Sequence, residues 1–384
     1  MGYQRSDKAK EYLETDVYEE AKKRIKHTIN VTDDRIVGFS GGKDSLVLLN
    51  LVKEVYDEMG IEEKVKVFFL DEEFVPQPVI DFVTEIYKSN EYDFRYYAVP
   101  LESQMFILNK NIKYIQWDKN REWFREPPSF AIQDDVKGLS EFNLDGYITK
   151  DMKGKVAIFR GIRTDESMFR FLAIYSNKTS YPYLSNSSVS KRIINSQPIY
   201  DWSIEDIFLY FYKNNIKYCK TYDMQMWNDE NLRVATPLVS ENKSKFHKFK
   251  TYDDDFYDRI LKIFPQFELN NTYYKSIDRS VDLSKYEPTV KSLMKYIEEN
   301  VDENVNQVKR KFLGILKSRE IQIKKGKVYF GGYPYRYLFK KVHDGSYKKN
   351  ITPTIQYHLE DFLFEGYTEE DFKKYRKEYV KYKW

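Results

Sequence analysis

Between Asp34 and Leu101 short apolar runs alternate with amphipathic ones, and that alternation leaves few folds open. DRIVGFS (34–40) is a β-rich run, and DSLVLLNLVKEVYDEMG (44–60) carries helical spacing that stops at Gly60. KVKVFFLDEEF (64–74) reads as a buried strand, PQPVIDFVTEIYKSN (76–90) as a helix opened by prolines, and YDFRYYAVPL (92–101) as a third strand. β-α-β-α-β at the spacing of crossover units predicts an α/β fold, with a doubly wound, mostly parallel sheet and helices on its faces. A leading amphipathic helix is expected over 11–29 and a fourth strand over KVAIFRGI (155–162). A helix over 164–176 with Thr164 as its N-cap should follow, then a last strand and turn over 191–202 and a helix over 203–215 opened by Ser203. The stretch 102–150 is less regular, with helix-like pieces and a break at Pro127-Pro128.

Beyond residue 240 the texture changes to charged, Tyr-rich helix pattern. KKGKVYFGGYPYRYLFKKV (324–342) interrupts it and predicts a β-hairpin near 327–342, turning at Gly331-Gly332. The expected organisation is therefore an α/β domain over 1–240 and a mainly helical C-terminal region over 241–384.

Bulk composition removes several function classes. The 63 basic and 60 acidic residues leave a net charge of +3, which gives no global drive toward nucleic acid. The single cysteine, Cys219, excludes an intrachain disulfide and a cluster held by this chain's thiolates alone; its setting reads as a small buried thiol. The four histidines lie without metal-ligand spacing, so no zinc site is expected. The polar opening MGYQRSDKAKEYLETDVYEEAKKR and the lack of a run near 18 apolar residues argue for a cytoplasmic protein with no membrane contact.

The first strand–helix junction carries the chemistry. In IVGFSGGKDSLVLLNLV (36–52), Gly41 and Gly42 let backbone N–H groups approach an anion closely, and the following helix points its positive end at the same place. Ser40 and Ser45 add hydroxyls, and Lys43 adds a full charge. Gly38 to Gly42 encloses only three residues and Asp44 follows the lysine, so this is neither a Walker A loop nor Gly-x-Gly-x-x-Gly.

SGGKDS (40–45) resembles the pyrophosphate loop of the adenine-nucleotide alpha-hydrolase-like superfamily, which includes N-type ATP pyrophosphatases, the small subunit of ATP sulfurylase and phosphoadenosine phosphosulfate (PAPS) reductases. FRGIRTDESMFR (159–170) resembles the Gly-(Ile/Val)-Arg-x-x-Glu-Ser-x-x-Arg signature of the PAPS-reductase-like branch. YIQWDKNREWFREPP (114–128), QPIYDWSIEDIF (197–208) and the segment around YKNNIKYCKTYDMQMWN resemble relatives carried by phages and mobile elements, one of them described as a co-activator of prophage gene expression. The likeness covers about 30–240.

The resemblance implies ATP or a related adenine nucleotide as ligand, with Mg²⁺. Ser40, Gly41, Gly42, Lys43, Asp44 and Ser45 would hold the pyrophosphate. Asp44 would orient the loop or help hold the metal through water, and Asp71 would reach a ribose hydroxyl or the adenine amine. Arg160, Gly161, Arg163, Glu166 and Arg170 would form the second wall, with Arg160 and Arg163 stabilising charge beside Lys43 and Asp44 in the reaction. Glu72 and Glu73 read as solvated. Thiol-dependent PAPS reduction is excluded, because no cysteine follows Cys219. Two functions remain: cleavage of the α–β bond of ATP with transfer to an unnamed acceptor, or nucleotide sensing that acts through a protein or nucleic-acid partner. The basic, aromatic stretch 321–342 and VKRKFLGILKSR (308–319) are the candidate nucleic-acid surface.

Overall fold

The computed structural model describes residues 14–107, 110–175, 180–227, 234–238, 246–268, 281–301, 304–324, 329–348, 351–354 and 356–381. The chain divides into two compact units, one of residues 1–103 and 113–265, the other of 104–112 and 266–384.

The first unit follows the expected alternation. α1 (Val17–Asn30) leads into β1 (Asp34–Gly38), α2 (Lys43–Met59), β2 (Lys66–Leu70), α3 (Gln77–Lys88) and β3 (Asp93–Tyr97). β4 (Leu101–Ile107) and β5 (Lys110–Gln116) form a separate two-stranded sheet, of which residues 104–112 fall in the second unit. Then come α4 (Leu144–Ile148), β6 (Val156–Arg160), α5 (Met168–Tyr175), β7 (Leu184–Asn186), β8 (Ile193–Ser196), α6 (Ile204–Asn214) and α7 (Thr221–Trp227). The main sheet has the order β3-β2-β1-β6-β8-β7. All its pairings are parallel except β7 with β8.

That order creates a switch point. From β1 the chain winds outward through β2 and β3, and the other half of the sheet starts again at β6 on β1's opposite side. Crevices at the carboxyl ends of strands flanking such a reversal are where open α/β sheets bind ligands. The register sets Gly38 beside Arg160, so the glycine turn after β1 and the arginine segment after β6 leave the sheet side by side.

Local chemistry explains the elements. Asp16 caps α1 by accepting from the Glu19 amide at 2.9 Å. α2 ends at Gly60, whose φ of 65° is the left-handed C-cap that glycine adopts without strain. Ser203 and Asp206 form a reciprocal capping box at α6. Val47, Leu48, Leu49, Leu51, Val52 and Val55 of α2 are fully buried, so this helix is apolar on more than one face. Each such side chain contributes roughly 1.5–3 kcal/mol. Much of this burial is in one core that also takes in α1, α3, α6 and the sheet. The helix that presents the glycine turn is thus anchored in the core along most of its length.

Several expectations are corrected. The irregular stretch after β3 opens with two paired strands rather than helical pieces: Leu101 and Met105 are buried on one strand, Tyr114 and Gln116 on the other, at strand period. Thr164 does not cap a helix. It begins a 3₁₀ turn (Thr164–Glu166), and its hydroxyl donates to the Tyr200 carbonyl at 2.9 Å. Helix Asp254–Ile263, beyond the expected boundary at 240, belongs to the first unit: Phe256 packs on Phe124, and Phe264 just after the helix packs on Phe74.

The second unit is helical, as expected. Helices Val290–Asn300, Val305–Lys324 and Tyr335–His343 share a core that includes Leu293, Ile297, Phe312, Leu316, Leu338 and Phe339. The hairpin expected near 327–342 is not what the described residues form. Tyr329–Gly332 is a 3₁₀ turn and Tyr335–His343 a helix behind Pro334. Phe330, Gly331 and Gly332 all have positive φ, and a Cβ on Gly331 would lie 2.3 Å from the Arg319 carbonyl. The glycines therefore fit a left-handed turn against a helix backbone. Phe330, Tyr335 and Phe339 are buried, so these aromatics of the candidate nucleic-acid stretch are core.

Candidate functional site

The turn after β1 is held from within. The Ser40 amide donates to the Ser45 hydroxyl oxygen at 3.1 Å, and the Ser45 hydroxyl donates to the Gly42 carbonyl at 3.0 Å. Ser40 Oγ and Ser45 Oγ lie 3.0 Å apart. Since the Ser45 proton goes to Gly42, Ser40 is the donor in that pair. Both hydroxyl protons are spent on the loop's own shape, where the sequence reading had them facing a ligand. Gly41 has φ of 72°, and a Cβ there would meet Val79 and Val83 at 2.9 Å, so only glycine fits between this turn and α3.

Gly42 occupies the N-cap position of α2 and provides no side-chain cap. The first helical amide, that of Lys43, donates instead to the Tyr222 hydroxyl oxygen from α7 at 2.8 Å. A helix N-terminus without an acidic or hydroxyl cap of its own is suited to an anion.

Two buried cations flank this helix start. Lys43 Nζ donates to Asp44 Oδ2 at 2.8 Å, and Arg163 Nε donates to Asp44 Oδ1 at 2.5 Å. The Lys43 and Arg163 side chains are only 5% and 3% exposed, so the cluster is screened little by solvent. Arg163 is oriented further by the Trp202 carbonyl at 3.1 Å and by Asp165 at 3.3 Å, nearer the surface. Burial pushes the Lys43 ammonium down from the usual lysine range, and Asp44 opposes that shift. A negatively charged ligand would relieve the same desolvation. Gly161 lets the two segments meet: a Cβ there would lie 2.8 Å from the Asp44 carbonyl carbon and the Ser45 amide nitrogen.

The remaining expected site residues are engaged with protein partners. Arg160 is paired with Asp145, and its Nε donates to Asn195 Oδ1 at 2.9 Å. Glu166 and Arg170 pair with each other across the 3₁₀-to-helix junction. Each Asp44 carboxylate oxygen accepts from one cation, Lys43 or Arg163. Among the described residues no group of three or more His, Cys, Asp or Glu side chains is arranged for a metal ion.

Asp71, expected to reach the nucleoside, is fully buried and committed to protein partners. Its carboxylate accepts from Tyr96 Oη at 2.6 Å, from the Glu73 amide at 2.9 Å, and from Arg125. Burial pushes this carboxyl up from the ordinary aspartate range, and Arg125 pulls it back. Glu73 is not solvated either. It is fully buried and accepts from the amides of Trp117 at 2.6 Å and Phe124 at 3.0 Å and from Arg121. Glu72 accepts from the Thr236 amide at 3.2 Å, and burial pushes its carboxyl up. Sequence reasoning missed Arg121, Arg125 and Tyr222 as members of this neighbourhood. The first two sit in the quoted segment 114–128, whose Arg and Trp content was the available signal. Tyr222 contacts a residue 179 positions away, and nothing within the quoted segment around YKNNIKYCKTYDMQMWN singles it out. Cys219 is buried, as read, with its thiol pushed up by desolvation.

The model of the phosphoadenosine phosphosulfate reductase domain family matches residues 35–277. Uncharacterized protein YbdN of Escherichia coli (strain K12) is 29% identical over 263 residues, which cover 63% of this chain and 64% of that protein. The chain thus spans less than two thirds of that relative. Among solved structures, Candida glabrata FMN adenylyltransferase in complex with FAD and inorganic pyrophosphate is similar at a TM-score of 0.35 and 16% identity, covering 54% of this chain and 59% of that one. PAPS reductase from Candida auris, as its phosphate complex, has a TM-score of 0.30 at 12% identity, covering 53% and 84%. The U34-tRNA thiolase NcsA from Methanococcus maripaludis has a TM-score of 0.32 at 13% identity, covering 73% and 88%. Among the described residues no helix is long and apolar enough to cross a membrane.

Proposed function

The chain belongs to the phosphoadenosine phosphosulfate reductase domain family, and from that premise we propose that it binds an adenine nucleotide by its terminal phosphates at Ser40–Ser45 and cleaves the α–β bond. The observation that carries this reading is the buried Lys43–Asp44–Arg163 clamp at the uncapped start of α2. An acceptor oxygen attacks the α-phosphorus. The bond from that phosphorus to the bridging oxygen breaks, pyrophosphate leaves with the electron pair, and the acceptor's proton passes to solvent. Lys43, Arg163 and the first-turn amides of α2 hold the departing pyrophosphate, which is where negative charge accumulates. Asp44 keeps the two cations in place and at their spacing. Mg²⁺ is taken as the nucleotide's own counterion. The test is incubation with α-labelled ATP and Mg²⁺. Labelled AMP or an adenylated product with pyrophosphate is expected; ATP left intact with every acceptor tried would overturn turnover.

One observation supports a second reading. Arg160 is already held by Asp145 and Asn195, so it is not poised to meet developing charge. A nucleotide-sensing module of the kind suggested by the mobile-element relatives needs the clamp but not a second mobile arginine. Measurable ATP affinity without turnover would select that reading.

A further inference from the structure

Three hydroxyl groups stand at the start of α2, and they are not equivalent. The protons of Ser45 and Ser40 are accepted inside the loop, by the Gly42 carbonyl and by Ser45 Oγ. The third hydroxyl, Tyr222, receives the Lys43 amide at 2.8 Å, and no described residue accepts the proton it carries. The side chain is 2% exposed and is packed into the main core with Cys219 and Val234, so the ring has little freedom to turn away. A buried donor left without an acceptor is costly, and native structures generally reserve such groups for a ligand or an ordered water.

Position gives the ligand's chemistry. A Cβ built on Gly42 would lie 3.1 Å from the Tyr222 oxygen and 3.1 Å from Ser40 Oγ. The space that an N-cap side chain normally fills is therefore bordered by the tyrosine hydroxyl. Lys43 Nζ lies 5.6 Å from the centre of the same ring, so the phenol is beside the clamp's cation. Among the groups at this corner Lys43 is a donor, and Ser40, Ser45 and Asp44 are engaged; the partner this hydroxyl lacks is an acceptor, and the neighbouring cation favours an anionic one.

We infer that Tyr222 donates its hydroxyl proton to a phosphate oxygen of the bound ligand, while its oxygen keeps the Lys43 amide in place. Tyr222 thereby links the C-terminal part of the first unit directly to the phosphate site. The inference rests on the reading of Ser40–Ser45 as a phosphate-binding loop.

The experiment titrates wild type and Tyr222→Phe with inorganic pyrophosphate by calorimetry and records the tyrosine absorption difference on saturation. The variant should bind pyrophosphate about ten- to a hundredfold more weakly, the range for losing a hydrogen bond to a charged group. Wild type should show a red-shifted tyrosine difference signal that the variant lacks. A purely structural cap would lower the unfolding midpoint without moving pyrophosphate affinity, and that result overturns the inference. So does equal or tighter binding by the variant. If the variant fails to fold, the wild-type spectrum decides: no red shift at saturation overturns the inference. Wild type that binds no pyrophosphate removes the phosphate reading, and this inference with it; wild type that binds while Tyr222→Phe binds equally well removes the inference alone.

Discussion

Two buried ionic clusters lie in the first unit, and they are built to opposite ends. Beneath the carboxyl end of β2, Asp71 and Glu73 face Arg125 and Arg121, and the carboxylates also take two backbone amides of the 114–128 segment and one of their own turn. Acids and arginines balance, and the acceptors are filled. At the start of α2, Lys43 and Arg163 share the Asp44 carboxylate and Arg163 also meets Asp165, the N-cap Gly42 offers no side chain, and the Tyr222 hydroxyl that takes the first helical amide has no described acceptor for its own proton. The first cluster is a brace that ties a long segment to the sheet. The second keeps a hydroxyl proton without a described acceptor at a helix start whose N-cap residue offers no side chain. Burial of charge alone does not mark a binding site, and neither does one spare donor, since Arg125 Nε in the brace is also buried without a partner among the described residues; the second cluster differs in setting its spare donor at a helix start lined by glycines.

The sharpest way to break this contrast is Glu73→Ala. It leaves Arg121 and the Trp117 and Phe124 amides without their acceptor, and the expected cost is about 3–5 kcal/mol of stability by denaturant unfolding. Pyrophosphate affinity per folded molecule should stay within about threefold. A large affinity loss with unchanged stability would exchange the two roles. Lys43→Ala should do the reverse, with pyrophosphate and ATP binding weakened by roughly a hundredfold in calorimetry and the unfolding midpoint little moved. Gly161→Ala comes next: its Cβ would press on the backbone of Asp44 and Ser45 at 2.8 Å, so α2's first turn must shift. About tenfold weaker pyrophosphate binding is expected from overpacking of this kind.

The smallest effect is in pH. Burial lowers the Lys43 pKa in the folded, ligand-free protein. Between that lowered value and the ordinary lysine value of about 10.4, the unfolded chain holds the proton more tightly. The Lys43 contribution to stability therefore rises with pH across this alkaline window and levels off above it. Bound pyrophosphate favours the ammonium, so binding should take up protons there and weaken as pH rises. Calorimetry in buffers of different ionisation enthalpy measures that uptake; proton release on binding would contradict it.

How much of this was legible in the sequence follows from how local each interaction is. The β-α alternation, the Gly60 stop and the Ser203 start are set within a few residues, and they read correctly. The glycine turn and the Gly161–Arg163 segment each carry local signatures, and the parallel pairing of β1 with β6 brings them together. The brace was not legible, because Glu73 finds its partners 44 to 51 positions away and looks like a surface acid in isolation. Residues 327–342 misled because alternating Tyr, Phe and Lys imitates a strand, while Tyr335, Leu338, Phe339 and Val342 are the buried face of a helix. Ser40 and Ser45 were correctly placed at the loop, but their protons turn inward, and Tyr222 takes the outward role.

The central claim is that the Ser40–Ser45 loop grips the pyrophosphate end of an adenine nucleotide. Competition calorimetry on the wild-type protein with ATP, AMP and inorganic pyrophosphate tests it most directly. The account predicts that ATP and pyrophosphate exclude one another and that AMP binds at least tenfold more weakly than ATP. AMP binding as tightly as ATP, or ATP binding undisturbed by saturating pyrophosphate, would contradict it.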